Sequence, residues 1–201
     1  RRSSAASDVY KRQTKYINGH SDALGGAICT NDPAWHQKMV FSQKALGLQP
    51  SPFDCWLITR GIKTLPLRLN QQMANAAALA DQLAEHPSVN WVRYPHRNDH
   101  PQHGVASRQM AAGGAIVTVS FKANQEQTYA LCKRLHWFTM AESLGGIESL
   151  ICHPATMTHA AVATEVKQKL GIDDGLVRFS VGCEDLADLQ ADLDQALELL
   201  A

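Results

Sequence analysis

Near one end of the chain an apolar run at residues 176–181 is followed at once by Leu186, Leu189, Leu193, Ala196, Leu197 and Leu200. A short continuous apolar run marks a buried strand, and the spacing that follows marks one apolar face of a helix. A buried strand and a one-sided helix in immediate succession have to cover each other's apolar surface, which restricts the region to a layered α/β arrangement. The leucine stripe is therefore read as core, and Asp185 as the side chain that caps the helix. Further strand candidates at 89–94, 114–121 and 138–141 alternate with helical patterns near 124–135 and 159–170, so residues 66–201 read as one compact α/β unit. Residues 95–113, rich in His, Asn, Gln and Gly, read as a long loop that is mobile or covers a site.

The first part of the chain carries sharper start and stop signals. Residues 23–30 read as a short strand with a glycine kink. Asp32 with Pro33 opens a helix that runs to about Leu46 and ends at Gly47. Ser51 caps a second helix with Pro52 at its first position, and the helical pattern continues to about Leu65. Because proline lacks a backbone donor and clashes with the preceding turn, Pro66 predicts a kink, with the helix resuming from Gln71 to Glu85. The resumed helix is expected to link the two parts of the chain.

At 201 residues and 45% apolar content the chain can form one domain or two small ones with a sizeable core. Nineteen basic residues balance nineteen acidic ones, so neither nucleic acid nor an anionic membrane is an expected partner. There is no apolar run long enough to span a bilayer. The five cysteines, Cys29, Cys55, Cys132, Cys152 and Cys183, are scattered and odd in number, which reads as reduced, mostly buried thiols of a cytoplasmic protein. His96, His100 and His103 sit beside Asn98, Asp99 and Pro101 in a loop-like stretch, and no metal site is expected there.

Two positions carry chemistry. Lys15 lies between Thr14 and a turn-forming string, Asn18-Gly19-His20-Ser21-Asp22, with Gly25-Gly26 beyond. An amine held in place by such neighbours can form a Schiff base with a carbonyl cofactor, and an adjacent hydroxyl can anchor a phosphate. Arg178 sits inside the apolar run 176–181, where a charge is costly without an anionic partner. Its planar fork matches a carboxylate with two hydrogen bonds, so either an amino-acid substrate or a structural Asp or Glu satisfies it.

Four blocks in order resemble the Cys/Met-metabolism enzymes that depend on pyridoxal 5'-phosphate (PLP), the group of cystathionine γ-synthase, γ-lyase and β-lyase. They are Thr14-Lys15-Tyr16 with its turn, Pro52-Phe53-Asp54-Cys55-Trp56-Leu57, Glu142-Ser143-Leu144-Gly145-Gly146 with Met157-Thr158-His159-Ala160, and Leu176-Val177-Arg178-Phe179-Ser180-Val181-Gly182. The resemblance implies a fold-type-I PLP-dependent transferase (aminotransferase-like), with residues 14–65 the end of the PLP-binding large domain and 66–201 the C-terminal α/β domain. It implies Lys15 as the catalytic lysine that carries PLP, with Thr14 beside the cofactor phosphate. It implies Glu142, Ser143, Leu144 and Arg178 as substrate-binding residues. Arg178 and Ser143 would hold the α-carboxylate, glycine allowing backbone N–H groups to approach it, and Glu142 the distal ammonium of cystathionine.

The implied activity is trans-sulfuration of cystathionine γ-lyase type, cleaving a carbon–sulfur bond to give cysteine, 2-oxobutanoate and ammonia. Cystathionine γ-synthase, joining an O-acyl-homoserine to cysteine, and cystathionine β-lyase are the alternatives. The implied assembly is a homotetramer built from dimers. One position departs from the pattern: the family shows Ser-x-Thr-Lys, whereas Arg12 stands at the serine position. Residues 1–13 show no apolar periodicity and no strand-like run, and are expected to be foreign or mispredicted sequence. The chain is then a fragment with part of an active site, expected to be inactive alone.

Overall fold

The structure, a computed structural model, describes residues 8–200, with side chains from Gln13 onward. The chain divides between Leu65 and Pro66 into two compact units. In the first, strand β1 (Asp8–Arg12) pairs antiparallel with β2 (Gly26–Thr30), Asp8 opposite Thr30 and Arg12 opposite Gly26. This corrects the expectation of no strand within residues 1–13. Backbone pairing to a partner strand fixes β1 without any apolar alternation in its own sequence. Residues 1–7 of that segment lie outside the described residues.

Helix α1 (Pro33–Leu46) starts where Asp32 Oδ1 accepts the Ala34 N–H at 2.8 Å. It stops at Gly47, whose φ of 67° is the left-handed conformation that lets its N–H reach back to the Gln43 carbonyl. Helix α2 (Pro52–Ile62) starts where Ser51 Oγ accepts the Asp54 N–H at 3.0 Å. It ends three residues before the expected boundary in tightened i+3 bonds, Lys63 N–H to Arg60 O and Thr64 N–H to Gly61 O. Helix α3 (Leu65–Glu85) then begins afresh. Pro66 therefore does not kink a continuing helix but lies in the first turn of a new one, where its missing N–H has no helical acceptor to lose.

The second unit is built on a five-stranded sheet of order β3-β4-β7-β6-β5, from β3 (Val89–Arg93), β4 (Ile116–Phe121), β5 (Thr139–Met140), β6 (Leu150–Cys152) and β7 (Leu176–Ser180). All neighbours are antiparallel except β5 and β6. Strand β7 is the middle strand, with Arg178 opposite Thr118 on one side and Cys152 on the other. Period-two alternation puts Val177 and Phe179 on one face and Leu176, Arg178 and Ser180 on the other. Phe179 is fully buried edge-to-face against Phe138, ring centroids 5.3 Å apart.

Helices α5 (Gln125–Arg134) and α7 (Leu186–Leu197) complete the core with α3, burying Leu79, Leu83, Leu131, Leu189 and Leu193. Asp185 caps α7 as expected, its Oδ1 accepting the Ala187 N–H at 2.8 Å. Gln82 on α3 donates to Asp194 on α7 at 2.7 Å, and Arg134 on α5 donates to Gln195 at 2.9 Å. Two expectations are corrected. The stretch 95–113 contains helix α4 (His103–Gln109), whose one buried residue, Ala106, leaves no apolar stripe to read. The helix expected over 159–170 is shortened to α6 (Thr164–Lys169), because residues 154–162 close as turns such as His159 N–H to Pro154 O.

Candidate active site

In the first unit Lys15 lies within one widened helical turn, Gln13–Ile17, where its backbone (φ −88°, ψ −124°) is not helical. Gly25 anchors this turn: its carbonyl accepts the N–H groups of Gln13 at 3.0 Å and Thr14 at 3.3 Å. Its own N–H donates to Thr14 Oγ1 at 2.8 Å. The Thr14 hydroxyl proton has the same carbonyl at 3.3 Å, a long bond. Downstream, buried Asn18 donates from Nδ2 to Asp22 at 2.7 Å, and its carbonyl accepts from His20 Nδ1 at 2.7 Å. Asn18 Oδ1 is buried with no partner among the described residues. A depression of about 180 Å³ lined by His20, Asp22, Leu57, Arg60, Gly61 and Thr64 opens beside it. Residue 61 has to be glycine here, since a Cβ would collide with the Asn18 carbonyl oxygen.

In the second unit the structure brings Glu142, Ser143 and Arg178 together. Arg178 Nη2 donates to the carbonyl oxygens of Glu142 at 3.1 Å and Ser143 at 2.9 Å. Arg178 Nε is buried without an acceptor among the described residues, and no described carboxylate lies within ion-pair distance of the guanidinium. Leu144 follows, half-buried, and Glu142 presents an exposed side chain. The chain then turns through Gly145, at φ 79°. The expectation that the glycine N–H groups approach a carboxylate is corrected at Gly145, whose N–H already donates to Ser180 Oγ at 2.9 Å.

Three supports of this loop escaped the sequence reading. Ser180 is two residues beyond Arg178, so strand alternation alone places both on one face. Gln72, fully buried on α3, donates to the Gly146 carbonyl at 2.5 Å. It sits with Asn75, Leu79 and Leu83 on the buried stripe of α3, where a polar residue signals a buried partner. Glu184 accepts the Ser149 N–H at 2.5 Å and the Ser149 hydroxyl at 2.9 Å, while Ser149 Oγ accepts the Gly182 N–H at 2.9 Å. Next to this network burial raises the Cys183 thiol pKa; Glu184 adds to the rise, and Arg68 opposes it. His153 is a satisfied core histidine: Nε2 reaches the Asp174 carbonyl at 3.0 Å and Nδ1 the Thr156 hydroxyl at 2.8 Å.

Outside these sites the His96 and His103 rings meet edge-to-face with centroids 6.5 Å apart. Among the described residues no three His, Cys, Asp or Glu side chains are grouped to hold a metal ion. No helix of the described residues is long and apolar enough to cross a membrane. Cys132 and Cys152 are buried, but Cys29 and Cys55 are exposed, which corrects the reading of mostly buried thiols.

The chain is 49% identical over 189 residues to a cystathionine gamma-synthase of Mycobacterium tuberculosis, covering 94% of this chain and 48% of that protein. It is 47% identical to a cystathionine gamma-lyase of Dictyostelium discoideum, covering 92% of this chain and 48% of that one. Among solved structures, cystathionine gamma synthase from Xanthomonas oryzae pv. oryzae in complex with cystathionine superposes with a TM-score of 0.92 at 45% identity, covering 96% of this chain and 50% of that one. The chain thus spans about half the length of the curated relatives it matches, and shares the fold-type-I architecture of these PLP-dependent enzymes. The sequence profile of one family runs through both units, over residues 6–198. From the lysine turn to the arginine strand, the chain belongs to the Cys/Met metabolism PLP-dependent enzyme family.

Proposed function

We propose that this chain carries part of the active site of a PLP-dependent enzyme that cleaves the carbon–sulfur bond of cystathionine in the γ-lyase direction. The carrying observation is Arg178. It sits in the central strand with Nη2 fixed by two carbonyls, Nε buried without an acceptor, and no described carboxylate in reach. A buried cationic donor left in this state favours an anionic ligand over a structural ion pair. The γ-synthase direction is the second reading, favoured by the 49% identity to the mycobacterial relative.

The residues present fit the cofactor. Thr14 Oγ1 already accepts the Gly25 N–H, so its proton is left for an acceptor, and a phosphate oxygen is a stronger one than a carbonyl at 3.3 Å. When bound, PLP supplies an electron sink for charge developing at the substrate's α-carbon. Lys15 would hold the cofactor through Nζ and take and return protons at the substrate's α and β carbons. Arg178 would bind the α-carboxylate beside Ser143 and Leu144, fixing the orientation of the α-carbon. Glu142, exposed at the start of the loop, would pair with the distal ammonium of a twice-charged substrate. In this reading residues 14–65 belong to the PLP-binding domain, residues 66–201 to the C-terminal domain, and the whole protein is a cytoplasmic homotetramer.

Full-length protein given cystathionine and water is expected to release cysteine, 2-oxobutanoate and ammonia. Formation of cystathionine from an O-acyl-homoserine and cysteine, without the cleavage, would select the second reading; neither reaction would end both. Borohydride reduction followed by peptide mapping is expected to find the pyridoxyl group on Lys15, and its recovery on another lysine would remove that assignment.

A further inference from the structure

Gln72 is fully buried on α3, yet its side-chain amide is satisfied on one side only. Nε2 donates to the Gly146 carbonyl at 2.5 Å, while Oε1 is buried with no donor among the described residues. The opposite orientation of the amide would set two acceptor oxygens against each other, so the nitrogen is the atom that faces Gly146. A buried acceptor left unpaired costs stability, and an apolar side chain of the same length would fill the same space without that cost. Packing therefore does not account for a glutamine here, whereas the bond to Gly146 does. That bond closes a specific gap in the loop. Upstream, Arg178 holds the Glu142 and Ser143 carbonyls and Ser180 holds the Gly145 N–H. Downstream, the Cys183 N–H donates to the Ile147 carbonyl at 2.7 Å, and Ser149 is tied to Glu184 and Gly182. Between these anchors stand Gly145 and Gly146, the residue type with the widest backbone freedom, Gly145 at φ 79°. Gln72 fixes the peptide that leaves Gly146. Three residues on, Asn75 donates from the same face of α3 to the Gly182 carbonyl at 3.2 Å and the Glu184 carbonyl at 2.9 Å, so the helix that grips the loop is itself tied to the segment that follows β7.

We propose that Gln72 is a positioning residue for substrate binding: through its bond to Gly146 it holds the Ser143–Gly146 loop in the shape that receives the substrate's α-carboxylate, and so sets substrate affinity. The proposal rests on the reading of Arg178 as the carboxylate-binding residue. A loop already held in its binding shape loses little freedom when the ligand arrives. A loosened loop is in that shape for only part of the time, and the apparent affinity falls by that fraction.

The test uses the full-length, PLP-loaded protein. Gln72→Met removes the donor and the unpaired acceptor together at nearly the same side-chain length. Cystathionine affinity, read from the PLP absorbance in a titration, is expected to fall about five- to tenfold, the loss of one hydrogen bond. KM is expected to rise by a similar factor with kcat within about twofold of the parent. In the ligand-free protein, amide exchange at Gly146 and Ile147 is expected to quicken, while the β7 amides and the melting temperature keep their parent values. Gln82→Met, which removes the bond from α3 to Asp194, is the control and is expected to leave the affinity unchanged. Unaltered affinity in Gln72→Met, or an equal fall in Gln82→Met, would overturn the proposal. Gln72→Leu carries the same expectation, and unfolding of both Gln72 variants would assign the residue to the stability of the fold and overturn the proposal as well. Arg178→Lys is measured beside them. Unaltered affinity in Arg178→Lys would end the carboxylate reading and this proposal with it; weakened affinity there, with parent affinity in Gln72→Met, would end this proposal alone.

Discussion

Replacing Asp192 tests how much of the second unit rests on a single buried carboxylate. The side chain is 4% exposed. Its two oxygens accept the His136 N–H at 2.9 and 3.0 Å and the Trp137 N–H at 2.8 Å, and Gln195 Nε2 donates to it at 3.0 Å. These bonds clamp the connection that leaves α5 before β5. A hydrogen bond to a charged group contributes about 1.5–3 kcal/mol. Asn at this position keeps one acceptor oxygen, so Asp192→Asn loses roughly one such bond and weakens another, about 2–4 kcal/mol in all. The His136 ring also lies 3.4 Å from Asp192, but its side chain is 79% exposed, so this contact is screened and His136→Ala is expected to cost under about 0.5 kcal/mol. Native-state hydrogen exchange at the β7 amides Val177 and Phe179 reports opening of this core. Their protection should fall by a factor on the order of 30 to 1,000 in Asp192→Asn. Protection within about threefold of the parent in Asp192→Asn, or an equal fall in His136→Ala, would refute the clamp.

The thiol of Cys132 has its pKa pushed up to about 12, first by burial and then by the neighbouring Cys152, against an ordinary value of 9.0. The unfolded chain therefore loses this proton first: the contribution to stability is intact below pH 9 and is lost as the pH rises towards 12, reaching about 4 kcal/mol. Urea unfolding should show the gap between the parent and Cys132→Ala shrinking by roughly 2–3 kcal/mol from pH 8 to pH 11, and a constant gap would contradict it. In the full-length protein Arg178→Lys is expected to leave PLP bound and lower substrate affinity by on the order of 2 kcal/mol, about thirtyfold, because the ammonium cannot reproduce the guanidinium fork. A fall in melting temperature with unaltered affinity would instead assign Arg178 a structural role. The 201-residue chain alone should bind PLP weakly in a spectroscopic titration, and tight stoichiometric binding would show that the contacts within this chain suffice.

What the sequence discloses is what short-range chemistry decides. Asp32, Ser51 and Asp185 cap their helices through bonds two or three residues long, and each is visible as a polar residue before an apolar pattern. Gly47 is visible for the same reason. The elements that escape notice are those with no periodicity to show: β1, fixed by its pairing with β2, and β6, three residues long. The break before Pro66 belongs with them, because the same proline signals a kink inside a helix and a start at its first turn. At the candidate site the charge in an apolar run exposed Arg178, whereas the Gln72 bond to Gly146 spans 74 residues and the Gly145 bond to Ser180 spans 35. Only the fold brings such pairs within reach.

Those long-range bonds also decide how the candidate site has to be understood. The backbone from Glu142 to Gly146 is held by side chains from two directions, Arg178 and Ser180 on β7 and Gln72 on α3. Arg178 consequently acts at two levels that separate by atom. Nη2 fixes the loop by donating to the Glu142 and Ser143 carbonyls, while buried Nε is left with no described acceptor. A carboxylate arriving at this edge would meet a donor already oriented by the loop it helps to hold, so little side-chain entropy remains to be lost on binding. If Arg178 binds the carboxylate as proposed, preorganisation of this kind would account for an arginine in the middle strand of the sheet. On the proposed reading, the fold satisfies part of its hydrogen-bonding capacity through Nη2 and a ligand carboxylate would take up the remainder.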